Sequence, residues 1–309
     1  MTILLFPGQG AQKVGMARDI AEAYPAARAV LDRIDARLET KLSDVMWHGP
    51  EAELQLTHNT QPAILAHSAA ILAVVQPHLG QVVAAAGHSL GEYSAYVAAG
   101  AIDAADAAVL VRRRGTLMFE AGLQRPGAMA AVLGLEAPEV ADACARASKD
   151  PDEVVVAANF NEPGQTVISG DPAAVARAGA LCQAAGAKRV LLLKVSGAFH
   201  SPLMQPAVGG LQAALAASPF REPSFPIMAN SSAALVHTRD GAVTSLAAQV
   251  TAPVRWVESM RRLAEAHPSA RWLEIGPGST LSGLVKRIVP GVTCTALGTA
   301  GEVEKWLAQ

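Results

Sequence analysis

The sequence predicts an α/β protein in which a small domain interrupts a larger one, and three observations carry that prediction. Two apolar runs, TILLF at 2–6 and QVVAAAG at 81–87, each lead through a glycine-containing turn into a helical stretch. Between residues 126 and 195 the rhythm changes to β-α-β-β-α-β in about seventy residues, the split βαβ order of a ferredoxin-like domain. After 195 strands and helices alternate again, so the expected division is 1–125 with 196–309 for the large domain and 126–195 for the small one. A chain of 309 residues with 51% hydrophobic composition has material for one large core and a second, smaller one.

Taken in order, TILLF is a strand, followed by a turn and a helix starting near Gly15. HNTQPAILAHSAAILAVV is a helix that Asn59 or Thr60 can cap, with Pro62 in the first turn, where its missing N–H costs nothing. Its apolar run at 63–75 is broken by His67 and falls short of the roughly 20 residues that span a bilayer, which makes it a buried helix. QVVAAAG has the continuous apolar character of a central parallel strand covered on both faces. LGEYSAYVAA is a helix that Gly100 can end, and a longer helix covers 103–121. In the small domain GAMAAVLGL, VVVAANF, QTVISG and KRVLLLKV are strands, while PEVADACARAS and PAAVARAGALCQAAG are helices. The remainder contains PIMANSS, a helix near 243–249, the amphipathic helix VRWVESMRRLAEAH, the strand WLEIG and the helix TLSGLVKRI.

Composition excludes several classes. A net charge of −2, with RRR at 112–114 the only basic cluster, gives neither nucleic acid nor an anionic membrane a surface to bind. Cys144, Cys182 and Cys294 are odd in number and lack metal-ligand spacing, so reduced thiols of a cytoplasmic protein are expected, with no disulfide framework and no metal. MTILLFPGQG has no charged segment before its short apolar stretch and does not read as a signal peptide. Neither GxGxxG nor GxxxxGK[ST] follows the first strand, so nucleotide binding is not indicated.

Chemistry enters at Gly87-His88-Ser89-Leu90-Gly91. A GxSxG sequence is weak alone, but strand, sharp turn and helix form the setting in which it projects a serine hydroxyl from a sheet edge. There the Leu90 N–H points from a helix N-terminus toward developing negative charge. A serine needs a base. Among eight histidines, His88 should leave the turn in another direction, while His58, His67, His78, His237 and His267 have structural or loop-like contexts. His200, in VSGAFHSPLM after a predicted strand, would share the carboxyl edge of a parallel sheet with Ser89 and is the expected base. No acid between them suits a triad. Asp103 and Asp171 occupy cap-like positions, Asp150 and Asp152 a turn beside Pro151, and Glu92 a helix. A Ser/His dyad oriented by a backbone carbonyl is therefore expected.

On the helix at 103–121, Ala107, Leu110, Val111, Arg114, Leu117, Met118 and Ala121 share one face, which buries Arg114 but not Arg112 or Arg113. A buried guanidinium needs an anion. Either an acid such as Glu92 forms a structural ion pair with it, or its planar fork holds a substrate carboxylate. FPGQGAQ at 6–12 is either an ordinary turn or, if its strand neighbours the one before Ser89, the source of a second oxyanion donor.

Nine segments in order, FPGQGAQ, THNTQPA, GHSLGEYSA, VRRRGTLM, GAMAAVLG, NFNEPGQTVISG, VSGAFHSPLM, QVTAPVRW and EIGPGSTLSGLVKRI, resemble malonyl-CoA:acyl carrier protein transacylases and the acyltransferase domains of polyketide and fatty acid synthases. The resemblance implies an α/β-hydrolase-like large domain carrying a ferredoxin-like insert. It implies an enzyme with Ser89 as acylated nucleophile, His200 as base, and the Gln9 and Leu90 N–H groups as oxyanion hole. Arg114 would pair with the malonyl carboxylate, and the Gln249 carbonyl would orient His200. The implied substrates are malonyl-CoA and the phosphopantetheine thiol of an acyl carrier protein, in fatty acid or polyketide synthesis, with no further cofactor. Leu90 and Phe199 resemble the malonyl-using type, since a bulky Phe199 leaves little space for an α-methyl group. Gly197 departs from polyketide members of that type, many of which have His there, and is closer to bacterial stand-alone enzymes, including those acting in trans on polyketide synthases. The rival readings are a trans-acting acyltransferase with another extender, a thioesterase or esterase, and a non-catalytic carrier-docking subunit.

Overall fold

The computed structural model describes residues 1–149 and 153–309; the turn expected at Asp150, Pro151 and Asp152 lies outside them. Ten strands are formed among the described residues: β1 Thr2–Phe6, β2 Val82–Gly87, β3 Ala128–Leu133, β4 Val155–Glu162, β5 Gln165–Gly170, β6 Arg189–Leu192, β7 Ile227–Met228, β8 Leu235–Val236, β9 Arg271–Ile275 and β10 Cys294–Leu297. They make a six-stranded sheet in the order β10-β9-β1-β2-β7-β8 and a four-stranded sheet in the order β4-β5-β3-β6. Within the first sheet every pairing is parallel except β7 with β8. Every pairing in the second is antiparallel.

The larger sheet is buried on both faces, as the continuous apolar runs of β1 and β2 require. Leu4, Phe6 and Ala85 face a core with the helix Thr57–Val75, through residues such as Ile64 and Ile71. Ile3, Leu5, Ala84 and Ala86 face the opposite core with Trp256, Met260, Leu281 and Leu284. On the smaller sheet, Ala130, Val132 and Ile168 pack beneath Val140, Cys144, Val175 and Cys182 of the helices Ala137–Ala147 and Pro172–Ala184. Its other face, through Met129, Ala131 and Val167, joins the core of the larger sheet. Backbone hydrogen bonds between Phe160 and Val254 (2.9 Å) and between Val254 and Ala158 (2.8 Å) also tie β4 to the segment that leads into the helix Trp256–Ala266.

Some local expectations change. The helix Thr57–Val75 begins two residues before Asn59, so Pro62 lies in its second turn. The reason is the preceding short helix Glu51–Gln55. Asn59 Nδ2 donates to the Glu53 carbonyl (3.0 Å) and Thr60 Oγ1 to the Leu54 carbonyl (2.6 Å), which leaves both side chains engaged with that helix. Asp103 does cap the helix Ala104–Gln124, accepting from the Ala105 N–H at 2.9 Å. Asp171 precedes its helix but makes no side-chain cap; its carboxylate instead takes Arg125 and the Val154 N–H, each at 2.7 Å. The helix expected near 243–249 runs over Arg239–Gln249, with Thr238 as cap. All three cysteines are free thiols. No helix among the described residues is long and apolar enough to cross a membrane.

Candidate active site

Ser89 follows β2 on a turn that its neighbours make possible only as glycines. A Cβ on Gly87 would overlap the Gly91 backbone, and one on Gly91 would overlap the Phe6 carbonyl oxygen. The turn carries Ser89 to φ +51°, a left-handed conformation that costs a non-glycine residue about 1–3 kcal/mol. Hydrogen bonds hold the peptide there. The Ser89 N–H donates to Asn230 Oδ1 (2.7 Å), and the Ser89 carbonyl accepts from Gln249 Nε2 (2.9 Å) and the Glu92 N–H (3.1 Å).

His200 Nε2 lies 2.8 Å from Ser89 Oγ. On its other side the His200 Nδ1–H donates to the main-chain carbonyls of Gln249 (3.0 Å) and Ala252 (3.1 Å). That pairing leaves Nε2 as the acceptor for the serine proton, the tautomer a base requires. Burial, reinforced by the Arg114 charge, lowers the His200 pKa to about 3 and keeps the ring neutral. His200 does not reach Ser89 by the expected route. The strand before His200, β6, is an edge of the antiparallel sheet, so the two residues do not share the carboxyl edge of one parallel sheet. They meet because residues 193–200 run from that edge back to the larger sheet. His88 turns elsewhere, with Nε2 2.8 Å from Asn161 Oδ1 and its ring against Trp256.

Every residue expected on the inward face of the arginine helix is buried, Arg114 to 1% exposure. Its Nη1 donates to Gln61 Oε1 (2.7 Å), and its Nη2 to Gln249 Oε1 (2.9 Å) and Ser89 Oγ (3.1 Å), with the Tyr93 ring beneath at 5.4 Å. No carboxylate touches it among the described residues. Glu92, offered as an ion-pair partner, is hydrogen-bonded instead to Gln249 Nε2 (2.7 Å) and the Asn230 N–H (3.0 Å). The guanidinium is thus held in place by two amide oxygens, with its charge free to meet an incoming anion.

β1 does neighbour β2, Phe6 lying opposite Gly87, so the loop after β1 reaches the same cleft. Gln9 and Leu90 line it with Ser89, Arg114 and His200, in a cavity of about 180 Å³. Neither the Gln9 nor the Leu90 N–H has an acceptor among the described residues. Both are therefore available to donate to the carbonyl oxygen that gains negative charge when Ser89 attacks the carbon. Phe199, 6% exposed, forms another wall, and a Cβ on Gly197 would stand 3.5 Å from its ring and 3.3 Å from Met204. Three further polar contributors escaped the sequence: Gln61, Asn230 and the side chain of Gln249. Gln61 sits in THNTQPA and Asn230 two residues after β7, the strand paired with β2; an amide beside an apolar run is the available signal.

The acyl transferase domain family matches residues 3–300. The malonyl CoA-acyl carrier protein transacylase of Escherichia coli is 45% identical over 294 residues, 95% of this chain and 94% of that protein. An acyl carrier protein S-malonyltransferase from Vibrio cholerae superposes with a TM-score of 0.93 at 41% identity, covering 99% of both chains. A structure described as a type II PKS acyl-carrier protein in complex with its malonyl-transacylase gives a TM-score of 0.93 at 40% identity, again over 99% of both chains. With nearly its whole length matched in both sequence and shape, the chain belongs to the acyl transferase domain family.

Proposed function

We propose that this protein moves a malonyl group from malonyl-CoA to the phosphopantetheine thiol of an acyl carrier protein, in fatty acid or polyketide synthesis, through a malonyl ester on Ser89. The observation that carries this reading is Arg114: a buried cation gripped by two amide oxygens, 3.1 Å from the hydroxyl that His200 holds. A nearly dry cation beside a nucleophile suits an acyl group with its own carboxylate. Losing one partner of such a pair leaves a buried charge uncompensated, at a cost of about 3–5 kcal/mol.

In the first half-reaction His200 Nε2 takes the Ser89 proton while Ser89 Oγ bonds to the thioester carbon. The oxyanion accepts from the Gln9 and Leu90 N–H groups. When it collapses, the C–S bond breaks and the proton passes from His200 to the departing CoA sulfur. The second half reverses these steps: the carrier thiol gives its proton to His200, attacks the ester carbon, and Ser89 leaves with the proton. The Gln249 and Ala252 carbonyls hold the imidazole throughout, doing the work of a triad acid. A malonyl carboxylate on Arg114 offsets the cation that opposes protonation of His200, so the base becomes stronger when its substrate is present. The chain, the thioester donor and the thiol acceptor supply each group the chemistry needs, and no further cofactor enters.

We read the larger sheet unit, 1–125 with 196–309, as α/β-hydrolase-like, and 126–195 as a ferredoxin-like insert. Its antiparallel order β4-β5-β3-β6 and its β-α-β-β-α-β connection support this. A cytoplasmic location suits the three free thiols. Phe199 favours malonyl over methylmalonyl by occupying the wall where a methyl group would project. Incubation with malonyl-CoA and a holo carrier protein, followed by mass spectrometry, tests the assignment: malonyl carrier should dominate, and predominant release of free malonate would make the protein a hydrolase.

A further inference from the structure

We propose that Glu92 is a positioning residue that holds the strained Ser89 peptide at both ends through Gln249 and Asn230; the inference rests on Ser89 being the residue that takes the acyl group. Glu92 has no exposed surface and occupies the first turn of the helix Gly91–Ala98. A single oxygen, Oε2, accepts from the Gln249 side chain at 2.7 Å and the Asn230 N–H at 3.0 Å. Each of those residues then grips Ser89 from one side. The second Gln249 Nε2 proton goes to the Ser89 carbonyl (2.9 Å), and Asn230 Oδ1 receives the Ser89 N–H (2.7 Å). Asn230 Nδ2 completes the brace on the Gly87 carbonyl at 2.7 Å, so the last residue of β2 is fixed as well.

The arrangement has a second effect. With both Nε2 protons engaged, the Gln249 amide can present only Oε1 to Arg114, at 2.9 Å. A flipped amide would set an NH2 group against the guanidinium. Glu92 thereby joins the nucleophile's backbone to the carboxylate-binding group without touching the substrate. A buried carboxylate is costly unless its bonds require it, and no cation contacts this one among the described residues. Its other oxygen, Oε1, has no hydrogen-bond partner. Burial raises the carboxyl pKa to about 7. A proton on Oε1 would leave both bonds to Oε2 intact, so the brace depends on an acceptor oxygen, not on charge.

Glu92→Gln keeps such an oxygen and Glu92→Ala removes it, so rapid-quench acylation by malonyl-CoA, with KM determined separately, separates the possibilities. Glu92→Ala is expected to slow Ser89 acylation roughly 10²-fold while KM for malonyl-CoA shifts by less than about threefold; Glu92→Gln should stay within about threefold of the parent in both. Acylation of Glu92→Ala at the parent rate, a loss confined to KM, or an equal loss in Glu92→Gln would overturn the proposal. Should Glu92→Ala not fold, Glu92→Asp, one methylene short of both donors, is read by the same split: slowed acylation with KM held supports the brace, and an unchanged rate overturns it. Peptide mapping of the parent adduct keeps the underlying assignment separate, since an adduct away from Ser89 defeats that assignment whatever the variants do.

Discussion

His200 Nε2 stands 2.8 Å from Ser89 Oγ, and each residue reaches that distance from a left-handed backbone, φ +57° for His200 and +51° for Ser89. The pair is assembled by strain on both sides. Both are tied to Gln249, whose main chain accepts from the imidazole and whose side chain donates to the serine carbonyl.

The elbow around Ser89 should tolerate no side chain at its glycines. Gly91→Ala would drive a Cβ into the Phe6 carbonyl oxygen, so a loss of about 3 kcal/mol or more is expected from urea unfolding, the upper end of overpacking effects. A loss below about 0.5 kcal/mol, the range of ordinary surface changes, would show that the sheet can move aside.

Arg114→Ala is expected to reduce kcat/KM for malonyl-CoA by roughly 10²–10³-fold, the rate equivalent of about 3–4 kcal/mol. Transfer of acetyl from acetyl-CoA should hold or rise, because that group has no carboxylate to place. Gln61→Ala, which frees Nη1 but leaves the charge, should cost malonyl transfer less. Equal losses for both acyl groups would assign Arg114 to structure.

The pH profile follows from the lowered His200 pKa. Protonation disables the base, and burial with the nearby Arg114 holds that event down to about 3, well below the ordinary 6.5. Activity as kcat/KM, which reports the free enzyme, should therefore remain flat as pH falls through 6.5 and on toward 5. A midpoint near 6.5 would mean that His200 is solvated like a model imidazole.

Phe199→Ser should open the wall facing the acyl group and shift relative kcat/KM toward methylmalonyl-CoA by roughly 10-fold, within the 1–3 kcal/mol that one methyl commands in an apolar pocket. Gly197→His presses on Phe199 and Met204 and is expected to lower malonyl transfer. Unchanged ratios in the Ser variant would remove Phe199 from extender selection.

How far the sequence could be read depended on whether a feature announces itself locally. The Ser89 elbow, the inward Arg114 face and the β-α-β-β-α-β order are periodic or punctuated patterns, and each stands where expected. β8, two residues long, β10 and the helix Ala300–Leu307 were not foreseen, because short segments give periodicity little to work on. A shared sheet edge points to His200 in the sequence; the sheet topology does not provide that edge, yet the partner at Ser89 is that residue. Gln61 and Asn230 were invisible for another reason. Their importance lies in contacts across 53 and 141 positions, which one sequence cannot reveal.

The most direct test of the account is to mix the protein with malonyl-CoA, quench, and locate the adduct by peptide mass. The account predicts one malonyl group on Ser89, absent from Ser89→Ala and discharged when a holo carrier protein is added. An adduct on another residue, or carrier malonylation that persists in Ser89→Ala, would contradict it.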